Sequence, residues 1–444
     1  MILEATRSNT TSGSGSGNFS FFLGKKHVVG IAGSVESRSN FFENKDMSLM
    51  IGTAELLTCL PLTKGDVERF GAFFVKSMAT LLKRDNFVRN LHLLTGDARR
   101  MCENLMAAEV VNEAGWRIMN PFDEEVAENT ALGDYTLRVF HDLEQRNSTV
   151  KVYLPWFPAP GHYLRMWDGF RLYRVFQRIL KQRLKAGLKC NDAFQTLIDS
   201  GAGVKDITGF VINALFGGQV NTGVNAAWLP IFLAITPEWK ARAVAEVDQV
   251  ISRYRSSAGQ KPSDVLDTLS IDVWQNEFPL LVDCCLRESV RLTIRGAAVR
   301  KNETGVDVVL ENFQGGDSTE VISDGSYATF LLSLVHFNPD IYPEPTRFDP
   351  GRYTSERAED KRLPYSFLGW GAGRHPCLGT RFAKLEITLI MAYLFALFEF
   401  ELAKDACGGP ATNGPPLQTH NAHFASRPVE PVYLRFKPRP GAFD

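Results

Sequence analysis

The chain has 444 residues, of which 44% are hydrophobic and 22% are charged. With 49 Lys and Arg against 50 Asp and Glu, its formal net charge is −1, which excludes the polybasic footprint of a nucleic-acid-binding protein. The length is sufficient for one large domain or two. The seven cysteines include no Cys-x-x-Cys pair, and this odd, scattered set fits a reducing compartment better than a disulfide framework. We therefore expect small molecules and proteins as partners.

The first 18 residues are rich in Ser, Thr and Gly, and they predict a flexible tail ahead of a domain over residues 19–444. Nothing in the tail resembles a signal peptide, and the longest apolar runs of the chain are too short to cross a bilayer. A pair of strands is predicted over residues 21–33, followed by a short helix through Phe41 and Phe42.

An apolar, proline-broken loop over residues 154–160 precedes a helix that is rich in basic side chains. Basic amphipathic helices beside aromatic loops can lie on anionic lipid, whereas a helix face that contacts only water has the same composition. Peripheral membrane contact and a solvated face therefore both remain open. The basic residues of this helix are Arg165, Arg171, Arg174, Arg178, Lys181, Arg183 and Lys185.

Most of the remaining chain has the apolar spacing of helices. Residues 207–233 predict one long helix that Pro230 kinks near its end. The next helix is expected to begin at Pro237, with the hydroxyl of Thr236 as its N-cap. Short strands are predicted over residues 293–300, 306–310 and 432–436.

Glu288 and Arg291 stand three residues apart in a helical pattern, so their side chains lie on one helix face and can pair. Such pairs are common on solvated helices and contribute only a few tenths of a kcal/mol there. Here the pair follows an apolar run, and a Phe-x-Pro-x-Arg segment that contains Arg352 comes later in the chain. The order of these motifs, rather than the pair itself, carries the information.

Residues 370–379 place one cysteine in a glycine-rich loop directly ahead of a helical pattern. Because free N–H groups and the helix dipole stabilise a negative sulfur at a helix N-terminus, Cys377 is a candidate thiolate ligand for a metal. A packed cysteine and a phosphate-binding turn are the alternatives. A dinucleotide fingerprint needs a third glycine where Pro376 stands, and the chain has no Gly-Lys-Ser/Thr phosphate loop, so the phosphate interpretation fails.

This loop is similar to the haem-ligand loop of the cytochrome P450 family, whose pattern is Phe-x-x-Gly-x-Arg/His-x-Cys-x-Gly. Trp370 replaces the leading Phe, and any hydrogen bond from its indole N–H to the sulfur is expected to raise the iron potential. The two charged motifs occur in the family's order, and the resemblance extends from about residue 19 to residue 438. The matching residues are Gly373, His375, Cys377, Gly379 and, six positions beyond the cysteine, Ala383.

The resemblance implies a mainly α fold with one large helical domain and small β-sheets, and it implies haem b with an axial thiolate as cofactor. Cys377 is then the iron ligand, and Glu288, Arg291 and Arg352 form a buried charge network behind the loop. It also implies a monomer that receives electrons from NADPH–cytochrome P450 reductase, with cytochrome b5 as a further donor. The remaining residues expected around the cofactor are Trp370, Gly371, Gly373, His375, Gly379 and Ala383.

Oxygen-activating members of the family carry an acid and a threonine on the helix above the haem, where they relay protons. The corresponding residues here are Val220, which carries no proton, and Asn221, which does not titrate. Thr222 lies one position on, about 100° around the helix. Asn221 and Thr222 are therefore the candidate catalytic residues, acting through water. This stretch resembles the branch that contains prostacyclin synthase and the sterol 7-alpha and 12-alpha hydroxylases.

The predicted substrate pocket lies between this helix and the strand that follows the Glu-x-x-Arg helix. Arg295 stands among apolar residues there, where it either meets a polar substrate group or points away. The expected pocket residues are Gly217, Gly218, Ile294 and Ala298.

By resemblance, the chain is a monooxygenase that inserts one oxygen atom of O2 into a lipophilic sterol, terpenoid or fatty-acid-like substrate. The missing acid favours a second function, a haem-thiolate isomerase or dehydratase that converts a peroxide without O2 or reductant. A haem-binding protein without turnover is a third. We expect the monooxygenase, in secondary or sterol metabolism, because most haem-thiolate proteins have this activity.

Eukaryotic members of the family begin with a membrane anchor, so the resemblance implies the cytosolic face of the endoplasmic reticulum membrane. No anchor is recognisable in this sequence. Either the anchor was lost or the N-terminus is truncated, and an anchorless form could be cytoplasmic.

Overall fold

The computed structural model describes a mainly helical molecule with small sheets, which confirms the predicted fold class. The predicted N-terminal tail and most of the apolar loop over residues 154–160 lie outside the described residues. The described residues are 18–31, 35–58, 64–108, 110, 115–121, 131–146, 157, 159–187, 189–190, 192–310, 320–409, 411, 416, 418 and 425–443.

The helices form most of the fold and follow one another through short connections. Three π-helical segments, Ala54–Thr58, Phe216–Val220 and Leu280–Leu286, each adjoin an α-helix, and Pro350–Tyr353 and Glu359–Lys361 are 3₁₀ turns. The α-helices are α1 (Val35–Glu43), α2 (Leu49–Thr53), α3 (Lys64–Leu81), α4 (Arg84–Met106), α5 (Ala131–Gln145), α6 (Pro160–Ala186), α7 (Ala193–Asp199), α8 (Val204–Leu215), α9 (Asn221–Ala234), α10 (Pro237–Tyr254), α11 (Pro262–Thr268), α12 (Ile271–Asn276), α13 (Arg287–Thr293), α14 (Ser333–His336) and α15 (Thr380–Leu397).

The strands form one five-stranded sheet and smaller sheets beside the helices. They are β1 (Phe19–Leu23), β2 (Lys26–Gly30), β3 (Met47–Ser48), β4 (Arg117–Met119), β5 (Ala297–Asn302), β6 (Val308–Leu310), β7 (Glu320–Ile322), β8 (Tyr327–Leu331), β9 (Gly371–Ala372), β10 (His375–Pro376), β11 (Phe398–Ala403) and β12 (Tyr433–Pro438). The five-stranded sheet has the order β1-β2-β8-β5-β3, β11-β12-β4 form a three-stranded sheet, and β6-β7 and β9-β10 are hairpins. The predicted strands are confirmed, with shifts of a few residues at their ends.

The core is built around α9 and α15. Residues 224–233 of α9 are all buried, and so are residues 391–397 of α15. These two stretches are buried on every side, so neighbouring elements must pack around each of them. Phe232 stacks on Trp228 and on Phe348, with ring centroids 5.1 and 5.0 Å apart, and this contact fixes the start of the Phe-x-Pro-x-Arg segment against α9. No helix among the described residues is long and apolar enough to span a bilayer.

Three local predictions differ from the structure. The long helix expected over residues 207–233 is interrupted by the π-helical turn Phe216–Val220, which contains Gly217 and Gly218, and glycine is destabilising inside a helix. The hydroxyl of Thr236 does not cap α10; it donates to the carbonyl of Phe232 over 2.6 Å, because the end of α9 offers a free acceptor nearer by. Cys377 lies three residues ahead of the first residue of α15 rather than at the helix N-terminus itself.

Candidate active site

A cavity of about 640 Å³ lies between the α8–α9 segment and the cysteine loop. We call it the main cavity. Its walls come from α3, α8, the π-helical turn, α9, α13, β5, the loop over residues 368–379 and the first turns of α15. The structure thus brings together, around one space, segments that are more than 150 residues apart in the chain.

The cysteine loop is a tight hairpin in which β9 pairs with β10. Gly371 and Gly373 have φ of 72° and 58°, in the left-handed region that glycine tolerates best. A Cβ on Gly371 would lie 2.5 Å from the carbonyl oxygen of His375, and one on Gly373 would lie 2.4 Å from that of Phe42. The backbone N–H of Cys377 donates to the carbonyl of Trp370 over 2.7 Å. The loop therefore holds Cys377 at the wall of the main cavity, where its side chain is exposed.

Glu288 is the centre of a buried network. It accepts five hydrogen bonds, namely two from Arg291 (2.8 and 2.7 Å), one from Arg352 Nε (3.1 Å), one from the Tyr353 hydroxyl (2.9 Å) and one from the Asp349 N–H (3.1 Å). The side chains of Glu288, Arg291 and Arg352 are at most 1% exposed. The structure brings the three residues of the predicted network into direct contact.

A second carboxylate balances the second arginine of this network. Arg352 Nη1 donates to Glu359 Oε2 over 2.9 Å, and the side chain of Glu359 is 2% exposed. Two buried carboxylates therefore face two buried guanidinium groups. Burial of charge is tolerated only when the charges are paired and hydrogen-bonded in this way.

His336 connects the network to the cysteine loop. Its carbonyl accepts a hydrogen bond from Arg291, while its ring Nε2 accepts the backbone N–H of Leu368 over 3.0 Å. Because Nε2 is the acceptor, Nδ1 carries the proton and donates to the carbonyl of Ile294 over 3.2 Å. Burial and the charge of Arg291 lower the pKa of His336 to about 3, so the ring stays neutral. One histidine thereby joins the network, the cysteine loop and a wall of the main cavity.

The distal wall carries few polar groups. Asn221 Oδ1 accepts the backbone N–H of Ala425 over 3.0 Å, which leaves the amide nitrogen of Asn221 as the free donor of this side chain. Thr222 lines the main cavity, and its hydroxyl makes no hydrogen bond with any residue that the structure describes. One turn on, Asn225 Oδ1 accepts the hydroxyl proton of Thr293 over 2.8 Å and ties α9 to α13. Val220 is buried and contributes no polar atom.

Comparison with known proteins gives a consistent result. A family model described as cytochrome P450 matches residues 154–424. A monooxygenase of Aspergillus aculeatus, cytochrome P450 monooxygenase AacuE, is 30% identical over 95% of this chain and 86% of that protein. The chain belongs to the cytochrome P450 family. Cytochrome P450 monooxygenase dmxR5 of Cryptosporiopsis is 28% identical over 86% of this chain and 77% of its own length. An obtusifoliol 14-alpha demethylase of Triticum aestivum is 29% identical over 61% of this chain and 58% of its own length.

The cofactor of this cytochrome P450 is therefore haem with a thiolate ligand. The residues of the main cavity fit that group. Arg300 donates through Nη1 and Nη2 to the carbonyls of Asn44 and Phe42, yet its buried Nε has no hydrogen-bond partner among the described residues. Burial and the nearby Arg374 lower the pKa of Arg300 to about 10. Burial, Arg300 and Arg374 also lower the pKa of His375. Basic groups that disfavour each other's charge are expected where an anion binds between them, and Arg300, Arg374 and His375 would hold the carboxylates of the haem in this way.

The predicted site residues of this cytochrome P450 are placed almost entirely around one space. Apart from the buried network of Glu288, Arg291 and Arg352, the exception is Gly373, which packs against the carbonyl of Phe42 instead of lining the main cavity. Arg295 does not line it either; its Nε donates to the carbonyl of Leu292, and its guanidinium lies 4.4 Å from the ring centre of Phe337. The predicted residues that line the main cavity are Gly217, Gly218, Asn221, Thr222, Ile294, Ala298, Trp370, Gly371, His375, Cys377, Gly379 and Ala383.

Sequence reasoning missed Arg300 and His336. Arg300 had a signal, because it lies two residues beyond Ala298 on a predicted strand and side chains alternate along a strand with a period of two. His336 had none, since a lone histidine ahead of an ordinary turn is indistinguishable from a packed one. The hydrogen bond considered for Trp370 is not formed. Among the described residues, the indole N–H of Trp370 makes no hydrogen bond to Cys377 Sγ.

Proposed function

We propose that this cytochrome P450 inserts one oxygen atom of O2 into an apolar small molecule, with electrons that NADPH–cytochrome P450 reductase delivers. The observation that carries this proposal is the main cavity, where an exposed thiol, a group of basic side chains and an apolar wall meet. Haem bound there supplies the oxygen-activating chemistry. The chain supplies the binding of substrate, the exclusion of water and the positioning of protons.

Two residues of the distal wall are suited to hold the water that carries protons. The free hydroxyl of Thr222 can both donate and accept, and the amide nitrogen of Asn221 can donate. Neither group titrates, so each of them orders water rather than generating a proton. Asn221 has a further role as the anchor of Ala425, which keeps the C-terminal segment against α9.

The substrate class follows from the apolar residues that line the main cavity. α3 and α8 contribute Phe74, Met78, Leu81 and Phe210 to the main cavity. Apolar and aromatic walls with few polar atoms favour lipophilic ligands. A sterol, a terpenoid or a fatty-acid derivative meets this description, and the name of the Triticum aestivum relative also refers to a sterol.

We further propose that α6 lies on a membrane surface, which fits the cytosolic face of the endoplasmic reticulum. Trp167 and Phe170 are 58% and 45% exposed, and Arg174 and Arg178 follow on the same helix face. Aromatic and basic side chains on one face favour anionic lipid interfaces. Wild-type protein should sediment with vesicles that contain phosphatidylserine, and the variant Trp167→Ala with Arg178→Glu should not. Equal binding by both proteins would leave α6 as a solvated helix.

Reductase docking is proposed for the basic surface around the cysteine loop. Arg374 and Arg381 are exposed there, whereas Lys384 pairs with Asp283 over 2.9 Å and offers less free charge. Complementary charge of this kind affects association rates more than affinity. We propose that the protein is a monomer and that the reductase docks on this surface. Cytochrome b5 is proposed as an additional electron donor.

The test of the proposed function is spectroscopic and then chemical. The reduced protein with CO should give the absorption band of thiolate-ligated haem, and Cys377→Ala should abolish it. Lipophilic compounds that displace the iron-bound water are then incubated with and without reductase and NADPH. Product that depends on both supports the monooxygenase, whereas conversion of a hydroperoxide without reductant supports the isomerase suggested by Val220 and Asn221. Binding without either reaction leaves a haem-binding protein.

A further inference from the structure

A second cavity, of about 400 Å³, lies beside the main cavity. The same two helices form walls of both spaces. On α9, Thr222 lines the main cavity and the next residue, Gly223, lines the second cavity. On α15, Ile387 lines the main cavity and the preceding residue, Glu386, lines the second. The two spaces are therefore adjacent and are separated by the thickness of these helices.

The wall at Gly223 is thin because this residue has no side chain. No atom lies within 4 Å of the position that a Cβ on Gly223 would occupy. A space of this size beside polar backbone can hold a water molecule. Water in the second cavity can thus approach the α9 backbone next to Thr222, which lines the main cavity.

Glu386 is the unpaired carboxyl group of the second cavity. It makes no hydrogen bond or ion pair with any described residue, although most of the wall around it is apolar. Burial, and then the charge of Asp97, raises the pKa of Glu386 to about 7. Among the described residues that line this cavity, Asp97 and Arg100 on α4 are the other ionisable ones, and they pair with each other. The α9 part of the wall contributes Gly223, Ala226, Ala227 and Pro230 and no ionisable group.

The proposed reaction consumes protons that the distal wall cannot provide. Insertion of one oxygen atom into a C–H bond uses O2, two electrons from the reductase and two protons, and it yields the hydroxylated product and one water molecule. Val220 and Asn221 occupy the positions expected for the proton relay, and neither titrates. The water held by Thr222 and Asn221 therefore has to receive its protons from solvent or from a titratable group elsewhere.

We propose that Glu386 is the proton source of the reaction and delivers protons through water in the second cavity, past Gly223, to the hydroxyl of Thr222. The carboxyl O–H bond breaks as the proton passes to water, and the carboxylate is reprotonated from solvent near Asp97 and Arg100. This inference rests on the proposed monooxygenase function. It assigns the acid of the reaction to the proximal helix α15 instead of the distal helix.

The first experiment measures product formed per NADPH consumed in the reconstituted holoenzyme. Glu386→Gln should lower this coupling by roughly a hundredfold and divert electrons to hydrogen peroxide, which is the lower end of the range of general acid catalysis. Gly223→Val should have the same effect with Glu386 intact, because its side chain takes up the part of the second cavity next to Thr222. Glu356→Gln, on the exposed surface, is the matched control and should leave coupling unchanged.

The pH profile separates a proton source from a structural role. Coupling in the wild type should be high below neutral pH and fall as the pH rises through about 7, where Glu386 loses its proton. Asp97→Asn should move this midpoint to lower pH, because it removes a negative charge that favours the protonated form. Glu386→Gln should abolish the dependence.

An infrared titration of the resting protein gives a readout that does not depend on turnover. A carboxyl C=O band should titrate near neutral pH in the wild type and be absent from Glu386→Gln. If that variant keeps wild-type coupling, or if no carboxyl band titrates near neutral pH, this proposal is overturned while the proposed function stands. If the wild type shows no reductase-dependent product, the proposed function itself fails.

Discussion

Glu288→Gln should destabilise this protein far more than its similar shape suggests. The variant removes one of two buried carboxylates that face Arg291 and Arg352, so one positive charge remains uncompensated in the core. The Glu288 carboxylate accepts five hydrogen bonds. A glutamine amide has only one oxygen, so its N–H2 group would face some of the same donors. Breaking a buried pair in this way costs about 3–5 kcal/mol.

Urea unfolding measures this effect. With a slope of about 3 kcal/mol per M, the expected loss of 3–5 kcal/mol lowers the unfolding midpoint by about 1–1.7 M. The haem absorption band reports the cysteine loop and tryptophan fluorescence reports the core, so the two signals test whether both parts unfold together. Asp272→Asn is the matched control, because its pair with Arg84 is more than half exposed and should not move the midpoint. A midpoint for Glu288→Gln within error of the control would refute the argument that buried charge balance holds this region together.

Three further predictions concern the residues around the cysteine loop. Trp370→Phe should leave the iron potential unchanged, because the indole N–H makes no hydrogen bond to Cys377; a measurable drop in a redox titration would mean that the bond forms with haem present. His336 has a folded-state pKa of about 3, below its value in the unfolded chain, so it contributes stability above about pH 6.5 that is lost as the pH falls toward 3. The free energy of unfolding, measured with urea at several acidic pH values, should therefore fall more steeply in the wild type than in His336→Gln, by up to about 1.4 kcal/mol per pH unit; parallel curves would contradict this. Gly371→Ala should release haem to apomyoglobin at least several times faster than the wild type, because a Cβ there meets a loop carbonyl at 2.5 Å; an unchanged release rate would show that the hairpin adapts.

The sequence was most informative where chemistry demands particular residue types at fixed spacing. A cysteine between glycines in a hairpin, and a Glu-x-x-Arg pair followed by a Phe-x-Pro-x-Arg segment, have few alternatives that serve the same purpose. Helix periodicity likewise predicted the mainly α fold. The prediction of one unbroken helix over residues 207–233 was wrong because periodicity reports which faces are apolar, and a π-helical turn changes the hydrogen-bond register without removing the apolar pattern.

The residues that sequence reasoning missed act through contacts between distant segments. His336 is significant because its ring accepts from Leu368 and donates to Ile294, and nothing near it in sequence indicates either partner. In the sequence, Glu386 looks like an ordinary polar residue of an amphipathic helix. Only the packing of α4, α9 and α15 leaves its carboxyl group unpaired beside the second cavity. The sequence also left open where the side chain of Arg295 points. In the structure it lies over the ring of Phe337 and does not line the main cavity.

The sequence by itself identified Cys377 as the candidate ligand and showed that neither Val220 nor Asn221 can titrate, because both conclusions depend only on the chemistry of the side chains. Only the tertiary structure decided which other side chains can release a proton or offer an unpaired polar atom. Burial sets whether Glu386 holds its proton near neutral pH and whether the Nε of Arg300 lacks a partner among the described residues. Burial is a property of segments brought together from across the chain, so no local pattern encodes it.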